Sequence, residues 1–211
     1  MSGSSPITVE AGSIYSDAGA TAADIVDGNL TSSIVIVSSV DTSAPGIFTV
    51  TYNVSDAAGN PAVQATRTVT VVDTTEPVVT APAGVKAEAS GTQTTVTIGS
   101  ATATDAVGVV SITSDAPATY PVGITTVTWT AKDAAGNTGT AKQTITVVDT
   151  TAPDFTFTQL SSELSPPNHK MVLVATVSNV TDLVDSSPVV SVTVTSNQTT
   201  NGKGDGNTDD Y

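Results

Sequence analysis

The sequence predicts an all-β protein made of tandem antiparallel β-sandwiches, of which the third is incomplete. The first observation is a repeat: the segment Asp56–Asn60, Asp-Ala-Ala-Gly-Asn, returns as Asp133–Asn137 roughly 77 residues later. The second observation is that short apolar stretches alternate with the turn-forming residues Gly, Pro, Asp and Asn, while no segment keeps a helical period. The third is an abundance of Thr and Val, whose β-branched side chains favour strands.

A second repeated motif sets the domain boundaries. Val71–Pro77, Val-Val-Asp-Thr-Thr-Glu-Pro, returns as Val147–Pro153 with one substitution. We therefore predict three domains, at residues 6–75, 76–151 and 152–211. Residues 1–5 have the composition of an expression start, so the chain is expected to be an internal piece of a longer protein.

Composition narrows the class of protein. The chain has no cysteine, and its 6 basic and 20 acidic residues give a net charge of -14. An acidic chain is a poor partner for nucleic acid or an anionic membrane, whereas it suits divalent cations. No apolar run approaches the roughly 20 residues that span a bilayer. We expect a secreted protein at the cell surface, of bacterial rather than vertebrate type since disulfides are lacking.

The strands of the first two domains follow from alternation. In Ile47–Val54 the residues Phe48, Val50 and Tyr52 share one face, which predicts a strand with one buried side. The equivalent Thr125–Ala131 places Trp129 inward as a core anchor. The returning strands carry Val69 and Val71 inward in the first copy, and Ile145 and Val147 in the second. Earlier strands are predicted at Ile7–Glu10, Gly19–Ala22, Ser33–Val37, Val85–Glu88, Thr95–Ile98 and Val109–Ile112. One extra residue between Asn60 and Val71 predicts a bulge.

The third segment supplies only early strands, at Phe155–Phe157, Met171–Ala175 and Val189–Val194. No Asp-Ala-Ala-Gly-Asn hairpin follows them. A sandwich without its last strands has an open edge and an uncovered apolar face. Two explanations remain open: the native chain continues, or another molecule supplies the strands.

These motifs resemble known families. The segments Glu10–Ala20 and Asp24–Thr31, with the first hairpin, resemble a bacterial Ig-like surface domain over residues 7–75. Pro121–Gly123, Trp129 and Lys132–Asn137 resemble the hyalin-repeat (HYR) family over residues 77–151. The third segment is similar to a further Ig-like repeat of such bacterial proteins. The resemblance implies tandem immunoglobulin-like antiparallel sandwiches in extracellular adhesion or spacer arrays, frequently stiffened by calcium and without catalysis.

Immunoglobulin-like topology turns the hairpin into a predicted metal site. The turn before the last strand and the loop between the second and third strands lie at the same pole. Asp73 from the linker, Asp105, Asp133 and Asn137 are therefore expected to converge between the first two domains. Such hard oxygen ligands are those that calcium prefers. Glu76 could add another oxygen.

The same reasoning predicts two further acidic groups. Asp149, Asp182 and Asp185 are expected to meet between domains two and three. Asp24, Asp27, Asp56 and Asn60 are expected at the outer pole of domain one. The alternative for each hairpin is a stable turn with no metal, since Asp and Asn bond nearby backbone and Gly supplies positive φ. We interpret the acidic stretch Asn201–Asp210 as a solvated loop.

Catalytic motifs are lacking from the sequence. His169 is the single histidine, which disfavours Ser-His-Asp and histidine-rich zinc chemistry, and no glycine-rich phosphate loop is found. The leading hypothesis is a non-enzymatic, calcium-stiffened stalk or spacer of a bacterial surface adhesin. The alternatives are an accessory carbohydrate-binding region of a secreted hydrolase, disfavoured by 4% aromatic residues, and a strand-exchanging filament subunit. The expected partners are neighbouring Ig-like domains of the same chain, with any cell-surface or carbohydrate ligand bound through other domains; neither nucleic acid binding nor membrane insertion is expected.

Overall fold

The computed structural model of the chain describes residues 1–160 and 173–193. The chain divides into two compact units. The first comprises residues 1–84, 98–116 and 126–144, and the second comprises residues 85–97, 117–125 and the described residues from 145 onward.

Fourteen strands and one short 3-10 turn, Thr31–Ser33, make up the regular structure of the described residues. The strands are β1 Ile7–Glu10, β2 Ala23–Asp24, β3 Gly28–Asn29, β4 Val35–Ser38, β5 Gly46–Asn53, β6 Ala65–Val72, β7 Val78–Thr80, β8 Val85–Glu88, β9 Thr102–Thr104, β10 Val109–Ser114, β11 Gly123–Asp133, β12 Thr138–Val148, β13 Asp154–Gln159 and β14 Ala175–Thr181.

The first four-stranded sheet has the order β1-β6-β5-β4. β5 and β6 form an antiparallel ladder that pairs Phe48 with Val69, while β1 runs parallel to β6. Val50, Tyr52 and Val69 form the buried core of this sheet, as the alternation predicts. The polar residues between them face away, so the pattern of the strand decides which side is packed.

The second sheet repeats this plan with the order β10-β11-β12-β8. β8 runs parallel to β12, pairing Val85 with Ile145, just as β1 pairs with β6. Val127, Trp129 and Ala131 of β11 are buried, which confirms Trp129 as a core anchor. Its indole Nε1 donates a hydrogen bond to the side-chain oxygen of buried Gln143 at 3.1 Å. The all-β, tandem sandwich prediction is confirmed.

Three small two-stranded sheets complete the described structure. β2 pairs with β3, β7 with β9, and β13 with β14, all antiparallel. In the third segment β13 contains the predicted strand Phe155–Phe157.

Several strand predictions are wrong. Gly19–Ala22 is not a strand, because the carboxylate of Asp17 captures the amide of Gly19 in a local turn. Thr95–Ile98 is not a strand either, since the carbonyl of Ile98 accepts a side-chain hydrogen bond from Gln143. In the third segment β14 begins only at Ala175, and the described residues 189–193 form no strand.

The predicted bulge lies at the hairpin end of the strand pair, because the register shifts by one residue between Tyr52–Ala65 and the isolated bridge Ser55–Pro61. The β5–β6 register is continuous from Gly46–Val71 to Tyr52–Ala65. β6 begins at Ala65, whereas β12 begins at Thr138, directly after its own hairpin. The extra residue therefore lies in the loop of residues 61–64, where Pro61 has no amide to donate to a ladder.

Candidate metal site

Three aspartates from distant parts of the sequence meet in the first compact unit. Asp73 follows β6, Asp105 follows β9, and Asp133 ends β11. One carboxylate oxygen from each lies within 4.8 Å of the other two. Asp73 and Asp133 are buried, at 8% and 2% exposure, and Asp105 is half-buried. Among residues 1–160 and 173–193, this is the one group of three or more metal-binding side chains at such distances.

The hairpin fixes Asp133 through its own loop. One carboxylate oxygen accepts hydrogen bonds from the amides of Gly136 at 2.6 Å and Asn137 at 2.8 Å, and the other accepts from the Asn137 side chain at 2.7 Å. Burial acts to raise the pKa of Asp133, but these hydrogen bonds outweigh it and lower the pKa. Asp133 is therefore held as a carboxylate.

Asn137 serves in this structure as a donor. Its Nδ2 reaches both the carboxylate of Asp133 and the backbone carbonyl of Asp73, the latter at 3.1 Å. Two acceptors on one side of the amide determine its orientation. Asn137 thus joins the hairpin to the linker through its Nδ2, and the oxygen-ligand role expected from the sequence stays a prediction for its Oδ1.

In Asp73 and in Asp105, one carboxylate oxygen accepts hydrogen bonds from backbone amides, and the other accepts none. Oδ1 of Asp105 accepts from the amides of Val107 at 2.8 Å and Gly108 at 3.0 Å, and Oδ1 of Asp73 accepts from Thr75 at 3.3 Å. Oδ2 of Asp73 and Oδ2 of Asp105 are buried and have no hydrogen-bond partner. Buried polar atoms are rarely left unpaired in proteins, and an ion is one group that pairs them.

The electrostatics of the group are unfavourable without a cation. Burial raises the pKa of Asp73, and the carboxylates of Asp105 and Asp133 raise it further, against a smaller opposing effect of the Thr75 hydrogen bond. Within the described residues the one ion pair is Arg67 with Asp17, so none joins a Lys or Arg to this group. The donor set, three carboxylates with oxygens to spare, fits a hard divalent ion such as calcium.

Glu10 is a functional candidate that the sequence analysis missed. Its carboxylate accepts hydrogen bonds from the amide of Thr74 at 2.7 Å and from the hydroxyls of Thr74 at 2.9 Å and Thr75 at 3.0 Å. The hydrogen bond from the Thr74 amide is the main cause that lowers the pKa of Glu10. We call this arrangement the glutamate clamp, since it holds the two residues that follow Asp73.

The clamp occurs twice. Glu88 accepts from the amide of Thr150 at 2.6 Å and from its hydroxyl at 3.1 Å. The signal was present in the sequence, since Glu10 and Glu88 each end a strand, 46 and 45 residues before the first aspartate of the hairpin motif. What could not be read was the parallel register, which pairs Glu10 with Val72 and Glu88 with Val148 and so brings each next to its linker.

Comparison with known proteins agrees with this arrangement of repeats. The family model described as bacterial surface protein, Ig-like domain, matches residues 1–71, and the HYR domain model matches residues 72–147. The chain is therefore similar to a bacterial surface Ig-like domain over residues 1–71, called the Ig-like domain below, and to a HYR domain over residues 72–147, called the HYR domain below. Both are surface or adhesion-type repeat domains, and the resemblance drawn from the hairpin motifs is confirmed.

Curated relatives and solved structures show similarity as well. Hyalin of Strongylocentrotus purpuratus is 43% identical over 129 residues, which cover 53% of this chain and 11% of hyalin. Hyalin of Lytechinus variegatus is 40% identical over 132 residues, covering 56% and 25%. The chain thus spans a quarter or less of these relatives. The human CDH23 EC21-23 crystal structure is 17% identical, covers 82% of this chain and 79% of that chain, and has a TM-score of 0.36. In the part of the chain that the structure describes, no helix is long and apolar enough to cross a bilayer.

The outer pole of the Ig-like domain repeats part of the site. Asp56 and Asn60 form the same hairpin contacts as Asp133 and Asn137, with the Asn60 side chain donating at 2.7 Å. Asp24 accepts from the amides of Val26 at 2.7 Å and Asp27 at 3.0 Å, matching the turn at Asp105. The carboxylate of Asp27 accepts the amide of Ala57 at 2.9 Å. The structure brings these residues to one pole but forms no group of three close carboxylates there.

The acids that follow the HYR domain keep the local geometry of the site. Asp182 accepts from the amides of Val184 at 2.8 Å and Asp185 at 2.7 Å, as Asp105 does, and Asp149 accepts from Thr151 at 3.1 Å, as Asp73 does. Asp149, Asp182 and Asp185 do not form a close group among the described residues. Glu76 is exposed and lies outside the three-aspartate group. His169 and Asn201–Asp210 lie outside the described residues.

Proposed function

We propose that this chain is a non-enzymatic segment of an extracellular array of Ig-like repeats, a stalk or spacer of a bacterial surface adhesin. In this proposal, calcium bound by Asp73, Asp105 and Asp133 stiffens the linker between successive repeats. The observation that carries it is the three-aspartate group with two buried, unpartnered oxygens. The two family matches and the charge of -14 support the extracellular, adhesion-type assignment.

A cation at this group would act on three segments at once. Asp73 belongs to the linker motif, Asp105 to the turn after β9, and Asp133 to the hairpin that ends β11. Calcium accepts 6 to 8 oxygens, so backbone carbonyls and water would complete the shell. Neutralising the carboxylates removes their mutual repulsion, and a shared ligand restricts movement of each segment against the others. The result would be a chain that resists bending at its linker.

Calcium titration monitored by calorimetry tests the metal. We expect the melting temperature to rise by roughly 5–10 °C when free calcium exceeds its dissociation constant about 100-fold. Asp105→Asn should abolish most of this rise. Asp41→Asn is the matched control, because Asp41 is an exposed turn aspartate that accepts the Ser43 amide at 2.8 Å and lies outside the group. A melting temperature that is the same in calcium and in chelator contradicts the proposal.

Small-angle scattering tests the stiffening separately. In calcium the chain should give a narrow distribution of maximum dimensions, and chelation should broaden it. The Asp105→Asn variant should scatter alike in both buffers. A calcium-dependent rise in melting temperature without any change in scattering would leave calcium as a stabiliser and remove its role as a stiffener.

A further inference from the structure

A second feature of the first compact unit is an open cleft of about 460 Å³ at the outer pole of the Ig-like domain. The residues that line it include Ala22, Asp24, Asp56, Pro61 and Ala62, together with Met1 and Tyr52. The cleft therefore combines a short stretch of extended backbone, apolar side chains and two aspartates.

The HYR domain contains the same structural element, and there it is covered. Ala20–Asp24, Ala-Thr-Ala-Ala-Asp, returns as Ala101–Asp105, Ala-Thr-Ala-Thr-Asp. Both segments alternate between exposed and half-buried residues in the same phase, with Ala22 matching Ala103. Both end in an aspartate that caps the following turn. The two segments are equivalent in sequence, exposure and local hydrogen bonding.

In the HYR domain the linker strand covers this element. β7 pairs with β9 in an antiparallel ladder that joins Val78 to Thr104, Val79 to Ala103 and Thr80 to Thr102. Immediately before β7, the carbonyl of Pro77 lies so close to Gly139 that a Cβ on this glycine would overlap it. Buried Pro77 is thus inserted against the strand that leaves the hairpin. The linker motif thus contacts β9 and β12 of the following repeat, and it does so before the chain enters β8, the first strand of that repeat's four-stranded sheet.

In the Ig-like domain, the entering chain forms a backbone hydrogen bond next to the counterpart of β9. The amide of Ser2 donates to the carbonyl of Gly19 at 2.9 Å, and Ser2 precedes β1 by the same number of residues as Thr80 precedes β8. Thr21–Ala23, the counterpart of β9, lies next to this bond. In the first repeat, residues 61–63 of the loop that precedes β6 line the open cleft. In the second repeat, the strand begins directly after the hairpin and contacts the linker at Gly139.

We propose that this cleft is the docking site for the linker strand of another repeat, with the chemistry Val-Val-Asp-Thr-Thr-Xaa-Pro-Val. The bound strand would form a ladder along Thr21–Ala23, its proline would lie against the loop of residues 61–64, and its aspartate would approach Asp24 and Asp56. The strand binds chiefly through backbone hydrogen bonds and apolar contacts. Docking therefore does not require the calcium of the proposed function, although calcium would strengthen it.

A peptide copy of residues 71–81, Val-Val-Asp-Thr-Thr-Glu-Pro-Val-Val-Thr-Ala, tests this docking. It is titrated to millimolar concentration into the isotopically labelled full chain, in chelator and in calcium, and amide chemical shifts are followed. We expect saturable shifts at Thr21–Ala23 and at the loop of residues 61–64. A scrambled peptide of the same composition should produce none.

Two variants locate the binding site. Ala62→Trp places an indole in the cleft from an exposed position and should weaken peptide binding at least tenfold. Ala58→Trp, an exposed residue of the neighbouring hairpin that does not line the cleft, should leave the affinity unchanged. A peptide with Asn in place of its aspartate should still bind in chelator but gain nothing from calcium.

The outcomes separate this inference from the proposed function. Absence of saturable shifts, shifts equal to those of the scrambled peptide, or full affinity in Ala62→Trp would overturn the docking site. Binding in chelator by a chain whose own melting temperature ignores calcium would support docking while rejecting the proposed metal.

Discussion

Single residues at equivalent positions show how the two repeats solve one structural problem differently. Arg67 of the Ig-like domain lies on β6, and Gln143 of the HYR domain lies on β12, the corresponding strand of the second sheet. Both residues are 2% exposed. Arg67 donates to the Ser2 carbonyl and to the carboxylate of Asp17. Gln143 donates to the carbonyls of Ala83 at 2.9 Å and Ile98 at 2.8 Å. Each side chain thus connects the segment that enters its domain to the core. Arg67 does so through its charged guanidinium group, and Gln143 does so through its neutral side-chain amide.

The charged version should be the more sensitive to mutation. Asp17→Asn leaves the guanidinium of Arg67 buried without its counter-charge, which we expect to cost about 3 kcal/mol of unfolding free energy. The double variant Asp17→Asn with Arg67→Gln, which imitates the second repeat, should recover part of that loss. Equilibrium denaturant unfolding measures both. A double variant less stable than Asp17→Asn alone would contradict the assignment.

Acid should weaken the same network. Burial raises the pKa of Asp17, but hydrogen bonds from Tyr15 and Tyr52 and the charge of Arg67 outweigh it and lower the pKa. A lowered folded-state pKa contributes stability that is present above the usual aspartate range and is lost as pH falls through the folded value. Asp17→Asn should therefore flatten the acid limb of the stability profile. An acid limb as steep as that of the wild type would show that other groups cause it.

Asp73 should respond in the opposite sense. Because burial and nearby carboxylates raise its pKa, its charge opposes folding above the usual aspartate range, and that cost is relieved as pH falls through the raised value. In chelator at neutral pH, Asp73→Asn should melt at the same temperature as the wild type or higher. In calcium the variant should melt lower than the wild type. Parallel calorimetric scans decide, and a variant that is less stable in both buffers would show that the charge of Asp73 does not oppose folding.

At the level of elements, the sequence predicts strands well where one face is buried and poorly where side chains capture the backbone. β5 and the strands that carry Val69 and Ile145 were found because strict alternation faces a packed core. The predictions at Gly19–Ala22 and Thr95–Ile98 rest on a less regular pattern and are wrong, since Asp17 and Gln143 take hydrogen bonds that a ladder would need. Hydrogen bonds between side chains and the backbone of such segments cannot be read from the local alternation of apolar and polar residues.

The candidate metal site was likewise predictable from the sequence only in part. The convergence of Asp73, Asp105 and Asp133 follows from topology and repeated motifs, and the structure brings these three together. The donor role of Asn137 and the part played by Glu10 depend on atomic positions and on a parallel register. Neither could be obtained from spacing in the sequence.

The glutamate clamp predicts an effect that is centred on the linker. Glu10→Gln keeps the size of the side chain but loses one acceptor oxygen, so the amide and hydroxyls of Thr74 and Thr75 cannot all stay paired. We expect a melting temperature lower by a few degrees and faster amide exchange at Thr74. The pKa of Glu10 is lowered, so wild-type stability from the clamp should fade below the usual glutamate range while the variant shows no such loss. Unchanged exchange at Thr74 would show that the clamp does not hold the linker.

For the whole molecule, charge is the dominant condition. A net charge of -14 on a chain with few basic residues gives a general repulsion that monovalent salt screens. In chelator we expect the melting temperature to rise with sodium chloride between low and physiological ionic strength. In saturating calcium the rise should be smaller, because the closest carboxylates are already neutralised. Equal salt slopes in the two buffers would indicate that calcium does not act at the acidic group.

The parallel pairing of first and last strands has a mechanical consequence. β1 lies beside β6, and β8 beside β12, with the chain entering and leaving each sheet at opposite ends of the paired strands. Tension along the chain would pull those two strands past each other, so their hydrogen bonds would be loaded together in shear instead of being opened one by one. Each repeat would then resist stretching best along the line that joins the points where the chain enters and leaves its sheet.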